Sequence, residues 1–430
     1  MHLSNLSQKI DQHFLLLNEH HLGTTTGFFK RAARKLSPLI LLKAFCMISC
    51  QNAVSYTQIA ILISIIKNST VSKQAVAKRI AKPMVAFCKS TLATLLSNQA
   101  LLPFSPIPLF AAFNRVLVQD STALQLPLQL ATQYPGPRNW CNIQYATAKI
   151  QTIIDLKQNS FLHFQLTPFI KNDQSSAGDI LNILKPGDLI IRDLGYFVIP
   201  VFKKIINCQA FFISRLKYNS ALFDKTMKRF DILDRLNTSG SLDEWVYLGV
   251  HDKLRVRIVA IPLEKSIADE RRRKLKHNRD RRMNPSKAHL DLCSWAIFVT
   301  NVSEDVWSAQ QIKDIYRLRW RIEIIFKSWK SHFKLNQPVW PSNEHFTETI
   351  IYTRLIYILI FNTSFFVPML CESQKKQGPN VSLLKLSNMI AQNISFLNNI
   401  QDSRFVLELI MYFCHYEKRK DRKNYYDLLN

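Results

Sequence analysis

The sequence predicts an α/β protein whose mixed sheet is flanked by two helical regions. Residues 1 to about 107 carry leucine and isoleucine at three-and-four spacing, which is typical of amphipathic helices. From about 108 to 215, strand-like apolar runs alternate with short helical segments. The order of strand, strand, strand, helix, strand, helix, strand indicates a mixed α/β sheet.

Charge restricts the class of partner more than any other global feature. The formal net charge is +26, and 47% of the residues are hydrophobic. A soluble enzyme of small molecules has no use for so much self-repelling charge, whereas a polyanion relieves the repulsion. We therefore expect nucleic acid as the first candidate partner and an anionic membrane surface as the second. The large apolar fraction disfavours a packaging protein.

Cysteine usage and apolar segments favour a cytoplasmic protein without a membrane span. The eight cysteines form no CxxC pair and no zinc-type cluster, which suits a reducing compartment. The first thirty residues lack the plan of a signal peptide. Leu355 to Leu370 is strongly apolar, but Asn362 and Pro368 interrupt it. The uninterrupted part is too short to span about 30 Å of hydrocarbon, so we expect a buried core helix.

The helical region 1–107 contains a candidate DNA-binding element. A helix from Tyr56 to Ile66, a short polar turn and a helix from Val71 to Ala81 follow the plan of a helix-turn-helix. The second helix is predicted to begin at a Ser cap. It would expose Lys73, Gln74, Lys78 and Arg79. A plain helical hairpin with a solvated basic face fits the same pattern.

The central region supplies the predicted sheet. Its expected strands and helices are Val116–Val118, Ile143–Leu156, Phe161–Phe169, helix Asp179–Leu184, Leu189–Arg192, helix Phe197–Ile206 and Ala210–Ser214. Further strand-like runs in 216–302 are Trp245–Val250, Arg255–Ile261 and Trp295–Thr300. A long helix is expected from Ala309 to Phe333, and 346–430 is mostly helical.

A basic run, Arg271 to Arg282, interrupts the strands of 216–302. A solvated flexible arm is one interpretation of such a run. Contact with DNA phosphates, through Arg271, Arg272 and Arg273, is favoured because the whole chain is basic. A second basic patch lies at 418–423.

Two aspartates stand where carboxylates can meet at one edge of the sheet. Asp120 follows the strand Val116–Val118, and Asp193 ends the strand Leu189–Arg192. Side chains at such strand ends point into a cleft at the sheet edge. Either aspartate alone could simply open a turn.

The long helix carries a third acid among cations. At about 100° per residue, Tyr316, Arg319, Glu323 and Lys330 share a stripe roughly 60° wide. An ordinary amphipathic helix with surface ion pairs is the alternative. It is weakened because the polar stripe adjoins the apolar face instead of opposing it. That apolar face is formed by Leu318, Ile322, Ile325 and Trp329.

These residues resemble a known signature. Tyr316, Arg319, Glu323 and Lys330 match the Y-x2-R-x3-E-x6-K pattern of DDE transposases from bacterial insertion sequences, in the cut-and-paste, hairpin-forming branch numbered four. Asp-Ser-Thr at 120 and Asp-x-Gly-Tyr-Phe at 193 resemble the first and second acid motifs of the same family. The resemblance covers about residues 110–335.

The resemblance implies an RNase H-like core interrupted by a β-rich insertion domain. The expected division is a helical DNA-binding domain at 1–107, the core at 108–215 and 303–345, the insertion at 216–302, and a helical region with possible dimerisation at 346–430. It also implies a homodimer that holds two DNA ends.

The resemblance further implies two Mg²⁺ ions, replaceable by Mn²⁺, held by Asp120, Asp193 and Glu323. Hard cations prefer carboxylate oxygens, and a pair of them can serve both the attacking and the leaving oxygen of a phosphodiester. Tyr316, Arg319 and Lys330 would then contact DNA phosphates. Trp295 would stack a displaced base, although a core tryptophan on a strand fits equally well.

We therefore expect the transposase of a mobile insertion sequence, acting on DNA in the bacterial cytoplasm and associated with the nucleoid. A nuclease of the same fold that performs no strand transfer is one alternative. A non-catalytic basic DNA-binding protein is the other, and the intact set of acids argues against it.

Overall fold

The fold is taken from a computed structural model, which describes residues 6–29, 36–51, 54–99, 102, 104, 107–277, 284–337, 343–376, 378–397 and 403–417. The basic patch at 418–423 and the end of the basic run, from 278 to 282, lie outside the described residues.

One mixed sheet of eleven strands forms the centre of the described structure. The strand order is β2-β3-β1-β5-β6-β11-β10-β9-β7-β8, and β4 pairs with β3. β1 pairs parallel with β5 and β5 with β6, whereas β1 and β3 are antiparallel. The strands are β1 Val116–Leu126, β2 Pro135–Arg138, β3 Gln144–Asp155, β4 Ser160–Pro168, β5 Leu189–Arg192, β6 Phe211–Arg215, β7 Leu222–Phe223, β8 Arg229–Phe230, β9 Leu242–Leu248, β10 Leu254–Pro262 and β11 Trp295–Thr300.

The strands expected in 216–302 are present, and they continue the same sheet. β11 pairs antiparallel with β6, from Phe298 opposite Arg215 to Thr300 opposite Ile213. β10 then pairs with both β11 and β9. The separate insertion domain therefore stays a prediction, because its strands are joined edge to edge with the core.

Helices surround this sheet. They are α1 Leu6–Leu15, α2 Glu19–Thr25, α3 Pro38–Ser49, α4 Tyr56–Lys67, α5 Lys73–Ala77, α6 Lys82–Ser97, α7 Ile199–Asn207, α8 Ile232–Ser239, α9 Lys265–Lys276, α10 Lys287–Asp291, α11 Ala309–Tyr316, α12 Trp320–Ser331, α13 Glu344–Phe361, α14 Val367–Lys375, α15 Leu383–Leu397 and α16 Ser403–Phe413.

Three expected elements differ in detail. The helix predicted at Asp179–Leu184 is a single 3₁₀ turn, Asp179–Asn182. The long helix from Ala309 is broken into α11 and α12 by a 3₁₀ turn at Arg317–Arg319. The described part of the basic run is helical, because α9 continues through it as far as Lys276. Several arginines and lysines have high helix propensity, which favours a helix there over an arm.

The most apolar segment lies in the protein core. α13 packs against α3 and α6 of the N-terminal region, so the two ends of the chain share one core. The stretch Glu344–Lys375 is long and apolar enough to cross a membrane, but 89% of its most apolar window is buried inside the fold. The prediction of a buried helix at Leu355–Leu370 is confirmed in that respect.

Candidate active site

Asp120 and Asp193 lie at neighbouring positions on two parallel strands. The pairing of β1 with β5 ends at Gln119 opposite Arg192, so the next residue on each strand is an aspartate. Adjacent strands are about 4.8 Å apart, which brings the two carboxylates to one place. The sequence suggested that Asp120 follows its strand, and this is wrong. Asp120 lies within β1, which continues to Leu126 because it pairs with β3.

Glu323 reaches the same place from α12, and Arg319 joins all three acids. The Arg319 guanidinium donates to Asp120 Oδ2 at 3.2 Å and to Glu323 Oε1 at 2.8 Å. Its Nε lies 3.4 Å from Asp193 Oδ1. The 3₁₀ turn just before α12 carries Arg319 into this position. Three elements distant in the chain thus converge on one cation.

Burial and mutual repulsion set the electrostatics of this cluster. Burial raises the pKa of the Asp120 carboxyl to about 7, the Ser121 backbone N–H and Arg319 lower it, and Asp193 and Glu323 raise it. Burial alone would lower the pKa of Arg319, but Asp193, Tyr316 and the other two acids raise it above its ordinary value. The Arg319 side chain is 10% exposed, whereas that of Glu323 is 46% exposed. The site is therefore open on the side of α12.

The cluster consists of three carboxylates around one guanidinium. Within the described ranges, no three His, Cys, Asp or Glu side chains stand together so as to hold one metal ion. The three acids instead share the cation Arg319. Carboxylate oxygens are the ligands that hard divalent cations prefer in proteins.

The other two motif residues lie on α11 and α12. The Tyr316 hydroxyl is buried without a hydrogen-bond partner of ordinary geometry. Burial, followed by Asp193, raises its pKa to about 12. Lys330 is half-buried on α12, forms no salt bridge with a described residue, and has a pKa lowered by burial. Tyr316 is therefore close to Asp193, whereas Lys330 lies seven residues, about 10 Å, along α12 from Glu323.

Comparison with known proteins agrees with this geometry. The family described as "Transposase DDE domain" matches residues 111–359. The chain belongs to the DDE transposases. This family uses divalent metal ions and implies an RNase H-like fold, which the mixed α/β sheet fits.

Two relatives from Bacillus thuringiensis match this transposase over nearly its whole length. The transposase for insertion sequence element IS231B, from subspecies berliner, is 30% identical and covers 99% of this chain and 95% of its own. The one for IS231E, from subspecies finitimus, is 28% identical over 96% and 92%. The transposase for IS1151 from Clostridium perfringens is 29% identical over 72% of this chain and 70% of its own. The chain is therefore an insertion-sequence transposase.

The reverse face of β1 and β5 carries a buried polar layer that sequence reasoning missed. Arg192, fully buried, donates to Gln119 Oε1 and to the Ala177 carbonyl. Farther along this face, Tyr196 donates to Gln151. Asp173 accepts from Ser121 Oγ at 2.9 Å and from Lys149 Nζ at 3.1 Å, next to these groups. These bonds hold the residues on both sides of Asp120 and the residue before Asp193.

Two exposed or half-exposed residues near the acids were also missed. Arg215 ends β6, the parallel neighbour of β5, and Arg215 influences the pKa of both Tyr316 and Arg271. Trp320 directly follows Arg319 and is 62% exposed. The parallel register of β5 and β6 ends at Ile191 opposite Ile213, and its continuation by two residues would bring Arg215 level with Asp193. The motif pattern contains no sign of Trp320.

Trp295 and the basic run are tied into the fold of the transposase. The Trp295 indole N–H donates to the Gly240 carbonyl at 2.7 Å, and the ring packs on the apolar cluster that contains Leu236 and Ala260. Arg271 donates to the Trp295 carbonyl, and burial lowers its pKa to about 10. Arg272 donates to the Leu290 carbonyl and to Ser294. Arg273, by contrast, is exposed.

The predicted succession of helix, turn and helix is present as α4, a turn and the short α5, and it fits a helix-turn-helix and a plain helical hairpin alike. Ser72 caps α5 by accepting from the Ala75 N–H, as expected, and Asn68 takes a left-handed backbone conformation that ends α4. The four predicted contact residues are all exposed, namely Lys73, Gln74, Lys78 and Arg79. α5 itself spans only Lys73–Ala77, and Lys78 and Arg79 lie in the turn after it.

Proposed function

We propose that this transposase binds the ends of its own insertion sequence, cleaves them with divalent metal ions, and joins them to target DNA through a hairpin intermediate. The convergence of Asp120, Asp193 and Glu323 on one cation carries this proposal. A carboxylate trio at the edge of a mixed sheet suits phosphodiester chemistry. The net charge of +26 suits a DNA substrate.

Two Mg²⁺ ions, or Mn²⁺ in their place, would be held by Asp120, Asp193 and Glu323. Bound there, they would activate the attacking oxygen and stabilise the leaving oxygen of a phosphodiester. Asp120 is the most deeply buried of the three acids, so it is the most strongly oriented by its surroundings. Besides its contact with Arg319, the Asp120 carboxylate accepts from the Ser121 backbone N–H, which lies 2.8 Å from Oδ1.

The cations around the acids would hold the DNA backbone. Arg319 presents a planar fork suited to phosphate, and Lys330 supplies a point charge on the same stripe. The Tyr316 hydroxyl and Arg215, on neighbouring elements, would add two donors. On DNA binding, Arg319 would replace its carboxylate partners with phosphate oxygens, and the Tyr316 hydroxyl would gain a phosphate oxygen as its acceptor.

Hairpin formation requires one nucleotide to leave the helical stack, and an aromatic side chain can receive the displaced base. Trp295 is the residue to which the family resemblance assigns this task. Trp320 is the competing candidate, because it is 62% exposed and lies three residues before Glu323. Either indole would repay part of the cost of unstacking one nucleotide.

Recognition of the element ends would rest on the exposed residues of the α4–α5 unit, Lys73, Gln74, Lys78 and Arg79, with Arg273 and its neighbours adding phosphate contacts. A homodimer would hold both ends, since two ends must be cut together. We place the protein in the bacterial cytoplasm, on the nucleoid, because its substrate is there.

A product assay separates this function from its alternatives. End-labelled DNA carrying one element end is incubated with Mg²⁺ and a supercoiled plasmid. Nicks, hairpins and plasmid joints are then resolved on gels. We expect all three products. Cutting without joints would identify a nuclease, and binding without cutting would identify a non-catalytic DNA-binding protein. Asp305→Asn, an exposed acid away from the cluster, serves as the matched control.

A further inference from the structure

A hairpin beyond the carboxylates displays a bare indole. β2 and β3 are joined by a tight turn, and Trp140 in that turn is 96% exposed. Ile143 and Tyr145 next to it are also exposed. Exposing a whole tryptophan in water is costly unless a partner covers it. Neither the signature motif nor the acids explain this residue.

The turn is held by hydrogen bonds, so its indole is presented on a defined support. The Asn139 carbonyl accepts from the Asn142 N–H at 3.0 Å, and the Asn139 side chain accepts from the Ile143 N–H at 2.8 Å. Asn142 has a φ of 61°, which asparagine tolerates better than most residues. Arg138 donates to Asn142 Oδ1 at 3.1 Å, which directs a guanidinium along the same tip.

The hairpin is connected to the position of Asp120 through β3, which pairs along β1. β1 pairs with β3 from Asp120 opposite Thr152 to Leu126 opposite Ala146. From Thr152 back to Gln144, where β3 begins, the strand covers about 26 Å at roughly 3.3 Å per residue. That length equals about eight base pairs of duplex at 3.4 Å each, and the turn beyond it brings the tip close to ten.

The charge at the tip of the hairpin suits a polyanion. Arg138 stands at the tip, and no acidic residue occurs in the sequence between Asp120 and Asp155. Lys149 is buried and paired with Asp173, and Glu348, which accepts from Tyr134, lies at the other end of β2 from the turn. The exposed apolar surface is one indole with two smaller neighbours, which is too little for a stable protein interface of about 800 Å² per partner. The pairing of β3 with β1 ends at Ala146, so the pair of Gln144 with Arg138 and the turn project beyond it with a width of two strands. An element of that width, by contrast, fits a DNA major groove.

We propose that the β2–β3 hairpin binds duplex DNA about one helical turn from the scissile phosphate, with Arg138 on the backbone and Trp140 against a base or sugar. This inference rests on the proposed function, because it takes the carboxylate cluster as the cutting site. The duplex is either the element end or the DNA that flanks it.

Cys141 provides a direct test at the tip. Among the eight cysteines, all within the described residues, only Cys141 is exposed. The full-length protein is alkylated with azidophenacyl bromide and bound in EDTA to a duplex that carries one element end and about 20 flanking base pairs, roughly two helical turns. After photolysis, the position of the cross-link on each strand is read by primer extension. Cys141→Ser gives the background from other thiols.

We expect a cross-link centred about ten base pairs from the cleavage point, in agreement with the strand length. Its loss on a duplex with a shortened flank assigns the contact to flanking DNA, and its loss on a shortened element assigns it to the element end. A cross-link to protein only, or none above the Cys141→Ser background, overturns the proposal. Cleavage by unmodified protein in Mg²⁺, run in parallel, tests the proposed function separately.

Affinity provides the second readout. Trp140→Ala should raise the Kd for the same duplex roughly tenfold, as expected for loss of an aromatic contact with nucleic acid. Leu128→Ala, an exposed apolar residue away from the tip, is the matched control and should leave the Kd unchanged. Because Trp140 is exposed, its removal should not alter the melting temperature. Equal Kd values for Trp140→Ala and wild type overturn the proposal.

Discussion

The carboxylate cluster and helix α9 both concentrate charge, but they use it differently. At the cluster, Arg319 joins acids from β1, the end of β5 and α12, which are far apart in sequence. On α9, Arg271 and Arg272 donate to backbone carbonyls of the segment 290–295, close to them in the chain. Arg319 is held in a site that is open on the side of α12, whereas Arg271 and Arg272 stabilise local packing.

This contrast shows that the spacing of charged residues along the sequence predicts their contacts better than the number of charges does. The motif spacing places four side chains on one stripe of the predicted helix, so the sequence predicts that they face the same side. A basic run fixes only composition, and each arginine then finds whichever acceptors the fold offers. Of the three arginines predicted to contact DNA, two have structural partners and Arg273 is exposed.

The largest effect should come from the acids. Asp120→Asn, Asp193→Asn and Glu323→Gln should each reduce cleavage at least about a thousandfold, because a divalent cation loses a charged ligand. DNA binding should persist, since it depends on the cations. Single-turnover cleavage and a gel-shift titration measure the two quantities. An acid whose replacement leaves near wild-type cutting does not belong to the site.

Arg319 should come next. Arg319→Ala leaves three acids facing one another and removes a phosphate donor, so we expect cleavage to fall about a hundredfold. Arg319→Lys should recover only part of the rate, because one ammonium cannot contact three carboxylates with a planar fork. A melting curve of each variant checks that the protein is folded. Full activity of Arg319→Ala would remove the residue from the chemistry.

Trp320 and Trp295 are the two candidates for stacking the displaced base, and separate variants distinguish them. Trp320→Ala should slow hairpin formation about tenfold while leaving the first nick and the melting temperature intact, since the side chain is exposed. Trp295→Ala tests the sequence prediction with the same two assays. If Trp295 stacks the base, nicked ends accumulate in that variant. If it packs in the fold, its melting temperature falls and both steps slow together.

The pKa of Asp120 predicts a pH dependence of stability without divalent ions. Its folded pKa, raised to about 7 by burial, lies above the ordinary 3.8. The folded protein therefore binds more protons than the unfolded chain between these values, and stability should fall as pH rises through that window. We expect the melting temperature of wild type to drop by roughly a few degrees more than that of Asp120→Asn between pH 4.5 and 7.5. Parallel curves for the two proteins would contradict the assignment.

The smallest effect concerns α9. Arg273→Ala should reduce the slope of log K against log salt by about 0.9, the contribution of one phosphate contact. Arg272→Ala should instead lower the melting temperature, since it removes bonds to Leu290 and Ser294. Fluorescence anisotropy at four salt concentrations measures the slopes. Identical slopes for Arg273→Ala and wild type would restrict α9 to a structural role.

Much of the sheet and the trio of acids could be predicted from the sequence, because strand periodicity and motif spacing are local properties. The joining of 216–302 to the core sheet through β6 and β11 could not, since it depends on long-range pairing. The central position of Arg319 also escaped prediction: the motif places it on the right stripe, but its contacts with Asp120 and Asp193 arise only in three dimensions.

Arg215, Trp320 and Trp140 were missed for a related reason. None of them belongs to a spaced motif, and exposure of a single tryptophan is not visible in composition. Their positions become apparent only when neighbouring strands and the solvent surface are known, and the roles proposed for them rest on those positions.

Metal-directed cleavage of the protein backbone tests the central claim most directly. Fe²⁺ replaces Mg²⁺ in the DNA complex, and ascorbate with peroxide generates hydroxyl radicals that cut the chain near the bound ion. Fragments should end near residues 120, 193 and 323, disappear when excess Mg²⁺ competes, and be lost in Glu323→Gln. Cuts elsewhere, or a pattern unchanged in Glu323→Gln, would show that these three carboxylates do not hold the metal.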